Sequence, residues 1–195
     1  SQGPTPGVIM VNLSSSNGGN ITTQTFGGAD WQVLTGPILI DGDYLIAART
    51  EKDGRTGPAS RLSFHFNQTT AQKITTTPPP AERYSDGGAF TLVDGITAQE
   101  KRVNTEWLGW LKDVTITVDL GSEQDISHIG IGALNETYSW IHLPKQVEVS
   151  ISSDGKNYSP LGSAEAKATV GRSEFVINKA VKARYVRLVV KHAGL

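Results

Sequence analysis

Two polar stretches of the chain combine aromatic residues with planar polar side chains. Aromatic planes stack on the C–H faces of sugar rings, and amide, guanidinium and carboxylate groups bond to sugar hydroxyls. This composition favours carbohydrate binding, with Trp140 and Tyr138 as the stacking residues. The polar partners that we predict for them are Asn135, Glu136, Arg102 and Asn104.

A structural role is the alternative interpretation of the same aromatic residues. Trp107 and Trp110 can equally plug the end of a β-sandwich as core residues, and the exposure of Trp140 is left open by the sequence. Position within a loop or a core therefore separates the two interpretations.

Catalytic chemistry finds little support in the residue pattern. The four histidines are far apart in sequence, and none has the i, i+4 spacing of a helical zinc site. Glu100 and Glu106 share one polar stretch, but nothing in the sequence sets the separation that a glycosidase carboxylate pair needs. We therefore expect no catalytic residues in this chain.

Charge and composition exclude several classes of partner. The 195 residues contain 18 basic and 19 acidic side chains, and the net charge is −1. Nucleic acids and anionic membranes are bound through a surplus of Lys and Arg, so neither is an expected partner. No apolar run approaches the roughly 20 residues that span a bilayer, which argues against membrane insertion. The chain has no cysteine and hence no disulfide framework.

Strict alternation of apolar and polar residues predicts an all-β fold. It is clearest over residues 114–120 and 147–151, and period 2 is typical of strands with one buried face. Asp41-Gly42 and Asp154-Gly155 lie between such segments and predict hairpin turns. Three consecutive prolines within residues 75–82 mark a linker or domain edge. We place two all-β domains at 1–70 and 71–195.

From residue 84 onward the chain resembles the discoidin, or coagulation factor 5/8 type C, family, which includes the family 32 carbohydrate-binding modules. The motifs that carry this resemblance are LVDG (92–95), NTEWLGW (104–110), VTITVDLG (114–121), LPKQVEVSISSDGKNY (143–158) and ARYVRLVV (183–190). The resemblance implies a β-sandwich jelly roll whose end loops bind galactose-type or N-acetylhexosamine sugars. It also implies Asp94 as a ligand of a structural calcium. The family's last strand, which carries a further acidic ligand, has no counterpart after HAGL, so we expect a module truncated at its C-terminal end.

Residues 1–70 resemble, on the segment TGPILIDGDYLIAARTEKDGRTGPAS (35–60), the small immunoglobulin-like domain of bacterial family 20 β-N-acetylhexosaminidases. The resemblance implies an immunoglobulin/fibronectin-III-like sandwich downstream of a catalytic domain in a glycosidase of Bacteroidetes type. It further implies a periplasmic or extracellular location, including the outer-membrane surface. The expected function is a non-catalytic, glycan-binding accessory region, and the alternative is a structural spacer or oligomer contact that binds no glycan.

Overall fold

The computed structural model describes residues 1–25, 28, 30–166 and 170–194, and the chain is all-β. It divides into two compact units. The first contains Ser1–Ala71 and Val93–Thr97, and the second contains Gln72–Leu92 and Ala98–Leu195.

The segment Val93–Thr97 belongs to the first unit, although the sequence analysis assigned it to the second domain. Two backbone hydrogen bonds tie it there. The N–H of His65 donates to the carbonyl of Gly95 at 2.7 Å, and the N–H of Ala71 donates to the carbonyl of Val93 at 2.7 Å. Asp94 therefore lies in the first unit.

The described strands of the first unit form two sheets. They are β1 (Ile9–Val11), β2 (Asn20–Thr25), β3 (Gln32–Val33), β4 (Ile38–Ile40), β5 (Tyr44–Lys52), β6 (Arg55–Thr56) and β7 (Ser60–Phe64). β1 pairs with β4, and the second sheet has the order β3-β2-β5-β6, with β7 also paired to β5. Ile9, Ile40, Ile46 and Phe64 are buried, which gives this unit its own apolar core.

The predicted hairpin at Asp41-Gly42 is wrong. These residues connect β4 to β5, but β4 pairs with β1 and β5 pairs with β2, β6 and β7. The turn thus joins two sheets instead of two neighbouring strands. Asp-Gly favours a reversal of the chain, and distant strand pairing decides which strands that reversal joins.

The described strands of the second unit form one hydrogen-bonded sheet in the order β11-β10-β12-β9-β8. Its strands are β8 (Lys73–Thr77), β9 (Val114–Asn135), β10 (Gln146–Ser152), β11 (Ser159–Ala164) and β12 (Gly171–Lys191). Its helical segments are α1 (Val103–Glu106) and the 3₁₀ helices Glu82–Tyr84, Gly88–Leu92 and Thr137–Ser139. Among the described residues, no helix is long and apolar enough to cross a membrane.

Alternation builds the core of the second unit as predicted. Along β9, Val114, Ile116, Val118 and Leu120 are buried, and the residues between them are less buried. These side chains join buried residues of β10 and β12, including Phe175, in one apolar cluster. Burying one such side chain contributes about 1.5–3 kcal/mol, so the cluster is the main source of stability for this unit.

The predicted turn at Asp154-Gly155 is confirmed, because it connects β10 to β11 and these strands pair antiparallel. Asp154 Oδ1 accepts hydrogen bonds from the N–H groups of Lys156 and Asn157, both at 2.8 Å. These bonds to the charged carboxylate hold the pKa of Asp154 far below its ordinary value of 3.8, with the Asn157 N–H as the largest cause. A rigid sheet with closed turns thus carries the loops described next.

Candidate functional site

The loop that follows β9 is closed by its own backbone. The N–H of Glu136 donates to the carbonyl of Ile141 at 3.0 Å, and the N–H of Ile141 donates back to Glu136 at 3.2 Å. Inside this bridge, the N–H of Ser139 donates to Glu136 at 2.9 Å and that of Trp140 to Thr137 at 3.1 Å. Because four backbone bonds restrain it, the loop presents its side chains in defined positions.

Tyr138 and Trp140 both project from this loop into solvent. The exposure of Tyr138 is 101% and that of Trp140 is 85%. Trp140 has φ 59° and ψ 28°, in the left-handed region, where a side chain with a Cβ costs about 1–2 kcal/mol. Since burial offsets little of that cost, the loop holds a strained and exposed indole.

His142 packs against this indole from the base of the loop. The two ring centroids are 6.4 Å apart, with an angle of 77° between the planes, which is an edge-to-face contact. Within the described part of the chain, the Nε2 atom of His142 is buried and has no hydrogen-bond partner. The contact between His142 and Trp140 is thus one of ring packing.

A pocket of about 330 Å³ opens beside the loop, within the second unit. Its volume lies at the low end of the range for small-molecule sites. Asn104 of α1 and Glu136 line it, so the structure brings together two of the predicted polar partners. The other lining residues are Arg83, Tyr84, Val103, Ser139 and Ile141.

The remaining predicted residues lie around the pocket without lining it. Arg102 donates from Nη1 to Glu106 Oε1 at 2.8 Å, and Oε2 of the same carboxylate accepts the N–H of Gln99 at 2.8 Å. This pair braces the loop that ends in α1. Asn135 is the last residue of β9 and pairs in register with Gly171 of β12.

The sequence analysis missed Arg83 and Tyr84. The N–H of Gly109 donates to the carbonyl of Tyr84 at 3.1 Å, and that of Ala81 donates to the carbonyl of Gly109 at 2.8 Å. A Cβ at Gly109 would lie 3.0 Å from Tyr84 Cβ, so glycine permits this close approach. The only local signal was a cation next to an aromatic residue, just after the prolines.

Arg83 and Glu136 bring opposite charges to the pocket. The guanidinium of Arg83 lies 5.5 Å from the centroid of the Tyr84 ring. Neither Arg83 nor Glu136 takes part in an ion pair found among the described residues. A neutral ligand with both hydrogen-bond donors and acceptors would match this lining.

Trp107 and Trp110 hold the second polar stretch in place. The indole N–H of Trp110 donates to the carbonyl of Pro78 at 3.0 Å, and its ring packs against the apolar core. The indole N–H of Trp107 donates to the carbonyl of Gln99 at 2.9 Å. Trp110 therefore has the structural role of a core residue, as the alternative interpretation of the sequence suggested.

The calcium site that the resemblance implied at Asp94 stays a prediction. Asp94 Oδ1 accepts the N–H of Ile96 at 2.8 Å, as in a local turn. Within the described ranges, no three His, Cys, Asp or Glu side chains come together to hold a metal ion. Calcium takes several oxygen ligands, including backbone carbonyls, and Asp94 would supply a carboxylate among them.

Comparison with known proteins identifies the second unit. The family model of the F5/8 type C domain matches residues 68–194. The chain therefore belongs to the F5/8 type C domain family. Together with its sheets, this match establishes the discoidin-type β-sandwich expected from the sequence. No curated protein matches the chain.

Solved structures with a similar fold include three bacterial modules. A chitosan-binding module from a Paenibacillus chitosanase/glucanase is 17% identical, with 67% of this chain and 90% of that chain covered and a TM-score of 0.47. The C-terminal domain of a Bacteroides fragilis chitobiase is 22% identical, with 66% and 86% covered and a TM-score of 0.47. A Clostridium perfringens module in complex with GalNAc-β-1,3-galactose is 20% identical, with 63% and 86% covered and a TM-score of 0.43.

Proposed function

We propose that the second unit is a carbohydrate-binding module that binds terminal galactose-type or N-acetylhexosamine sugars. The observation that carries the proposal is Trp140, an indole that is 85% exposed, held in a strained backbone conformation beside a polar pocket. Membership of the F5/8 type C family, which includes carbohydrate-binding members, supports it.

The lining of the pocket agrees with a neutral sugar as ligand. Asn104, Arg83 and Ser139 supply hydrogen-bond donors, and Glu136 supplies a carboxylate acceptor. Val103 and Ile141 add apolar surface for the C–H groups of a sugar ring. Because the two charges oppose each other, we expect no strong preference for anionic or cationic sugars.

The test is a glycan-array screen of the 195-residue chain, followed by titration calorimetry on any sugar that binds. Trp140→Ala is the test variant, and Leu111→Ala is its control. Leu111 is similarly exposed, at 84%, and does not line the pocket. Weaker binding in the first variant alone supports the proposal, whereas a wild-type chain that binds no glycan on the array contradicts it.

For the whole chain, we propose an accessory region of a secreted glycosidase, with a family 20 β-N-acetylhexosaminidase as the parent. In this proposal the first unit is an immunoglobulin-like spacer, and the module raises the local concentration of glycan for a catalytic domain upstream. The resemblance at residues 35–60 supports the parent enzyme and, with it, a periplasmic or extracellular location. Activity of the parent enzyme on polymeric and on soluble substrate, with and without this region, tests the proposal.

A structural role remains the second candidate, and exposed apolar residues of the first unit favour it. Val33 on β3 is 60% exposed, and Leu39 on β4 is 54% exposed. Such residues suit contact with another domain or copy. If the wild-type chain binds no glycan and Leu39→Ser weakens the association of this region with the catalytic domain, the spacer role is the better account.

A further inference from the structure

The site has two parts with different geometry. Ser139 lines the pocket, but its neighbours Tyr138 and Trp140 do not. Both neighbours extend into solvent, so the short helix Thr137–Ser139 separates a half-open polar pocket from an exposed aromatic surface. Consecutive Cα atoms are about 3.8 Å apart, which places the two surfaces next to each other.

Each part suits one sugar ring. The pocket, of about 330 Å³, is lined by Arg83, Asn104 and Glu136, whose polar groups can bond to the hydroxyls of a ring inside it. Outside, the indole of Trp140 offers an aromatic surface to a ring that lies beyond the pocket edge. One ring in the pocket would leave that surface uncovered, since Trp140 is not part of the lining.

The aromatic part is held in place before any ligand arrives. The N–H of Trp140 donates to the carbonyl of Thr137 at 3.1 Å, and the His142 ring packs edge-to-face at a centroid distance of 6.4 Å. An ordered side chain loses less conformational entropy when a ligand binds. A second ring would therefore gain most of the stacking energy that Trp140 can provide.

We propose that the site binds an oligosaccharide of at least two linked sugars, with one ring in the pocket and the next against Trp140. This inference rests on the proposed carbohydrate-binding function and adds the size of its ligand. Aromatic contacts of this kind correspond to roughly a three- to tenfold gain in affinity for the disaccharide over the monosaccharide.

Titration calorimetry on the 195-residue chain tests the proposal with two pairs of probes. The first pair is N-acetylglucosamine and the disaccharide of two β-1,4-linked N-acetylglucosamine units. The second pair is galactose and the disaccharide of two β-1,4-linked galactose units. For whichever pair binds, we expect the disaccharide to bind the wild type roughly three- to tenfold more tightly. In Trp140→Ala this gain should disappear, so that the two members of the pair bind with affinities within about twofold of each other.

Two further variants check which part of the site each probe occupies. Glu136→Gln removes a pocket charge and should weaken binding of both members of the pair. Tyr138→Ala tests the neighbouring aromatic side chain. Leu111→Ala changes an exposed residue outside the pocket lining and should alter neither the monosaccharide nor the disaccharide affinity.

The possible results separate this inference from the proposed function. Equal affinities of the wild type for monosaccharide and disaccharide would overturn the two-ring site but leave carbohydrate binding intact. An equal loss of both affinities in Trp140→Ala would also overturn it, because Trp140 would then contact the first ring. A wild-type chain that binds no saccharide would overturn both proposals.

Discussion

Replacing Trp140 by Gly and by Ala measures the backbone strain at the proposed site. Trp140 has φ 59° and an exposure of 85%. Both variants remove the indole and its contact with His142, whose centroid lies 6.4 Å away. The difference in stability between the two variants therefore isolates the effect of a Cβ atom in the left-handed region.

We expect Trp140→Gly to be more stable than Trp140→Ala. A Cβ in left-handed backbone costs about 1–2 kcal/mol. Glycine also gives the unfolded chain more conformational freedom, which lowers the stability of the variant by about 0.5–1 kcal/mol. The difference of these effects predicts a free energy of unfolding up to about 1.5 kcal/mol higher for Trp140→Gly, with a central value of about 0.75 kcal/mol.

Urea unfolding followed by circular dichroism measures both free energies, with the transition of the second unit analysed separately from that of the first. Leu111 provides the matched control, because it is 84% exposed and has no positive φ. There the order should reverse, with Leu111→Gly less stable than Leu111→Ala. A Trp140→Gly variant no more stable than Trp140→Ala would refute the strain argument and remove its support for the binding site.

Three other predictions concern the framework that carries the site. Gly155→Ala places a Cβ at φ 72°, 3.0–3.2 Å from atoms of the Tyr185 ring, and should cost about 1–3 kcal/mol of stability. Gly88→Ala, at φ 59° with nothing within 4 Å, should lose only the backbone part of that stability, and thermal unfolding measures both variants. Asp154→Ala should lower the melting temperature at neutral pH, because hydrogen bonds hold the folded-state pKa of Asp154 below 3.8. That stabilisation is complete above pH 3.8 and is lost as the pH falls further, so the melting curves of wild type and variant should converge in acid. Trp110→Phe removes the 3.0 Å bond to the carbonyl of Pro78 and should cost about 1–2 kcal/mol in urea unfolding, without changing sugar affinity.

Local pattern predicted the strands well where one face is buried. In β9, residues 114–120 alternate in sequence and in burial. The same strand continues to Asn135 through a glycine-rich segment in which alternation is weak. A Cβ at Gly132 would lie 3.2 Å from Arg172 Nε, a side chain of the paired strand β12. This packing of Arg172 over Gly132 joins residues some 40 positions apart, so the local pattern does not contain it.

Turn chemistry predicted reversals of the chain but not their partners. Asp154-Gly155 connects paired strands, whereas Asp41-Gly42 connects strands of different sheets. Asp53-Gly54, which has the same composition, connects β5 and β6 in the register Lys52↔Arg55, with φ of 50° and 72°. Left-handed backbone occurs at Asp53, Gly54 and Gly155 but not at Asp41 or Gly42, and packing of the remaining chain selects the pairing.

Residues that share one loop were easier to predict than residues that meet across the unit. Glu136 was found from its neighbours in sequence, and Asn104 from a second polar stretch. Arg83 and Tyr84 reach the pocket because backbone bonds join their segment to Gly109, about 25 residues along the chain. Contacts of that length follow from the tertiary fold and leave little trace in local composition.

The strain at Trp140 also distinguishes the two candidate functions. In a spacer that binds nothing, an exposed indole at φ 59° has no role that offsets its backbone cost, and glycine would serve the loop better. In a binding module the same cost gives an aromatic surface that is ordered before the sugar arrives. Trp140→Gly should therefore keep or raise stability while it removes the affinity gain for a disaccharide. A variant that keeps both stability and sugar affinity would mean that sugar binding does not depend on the indole.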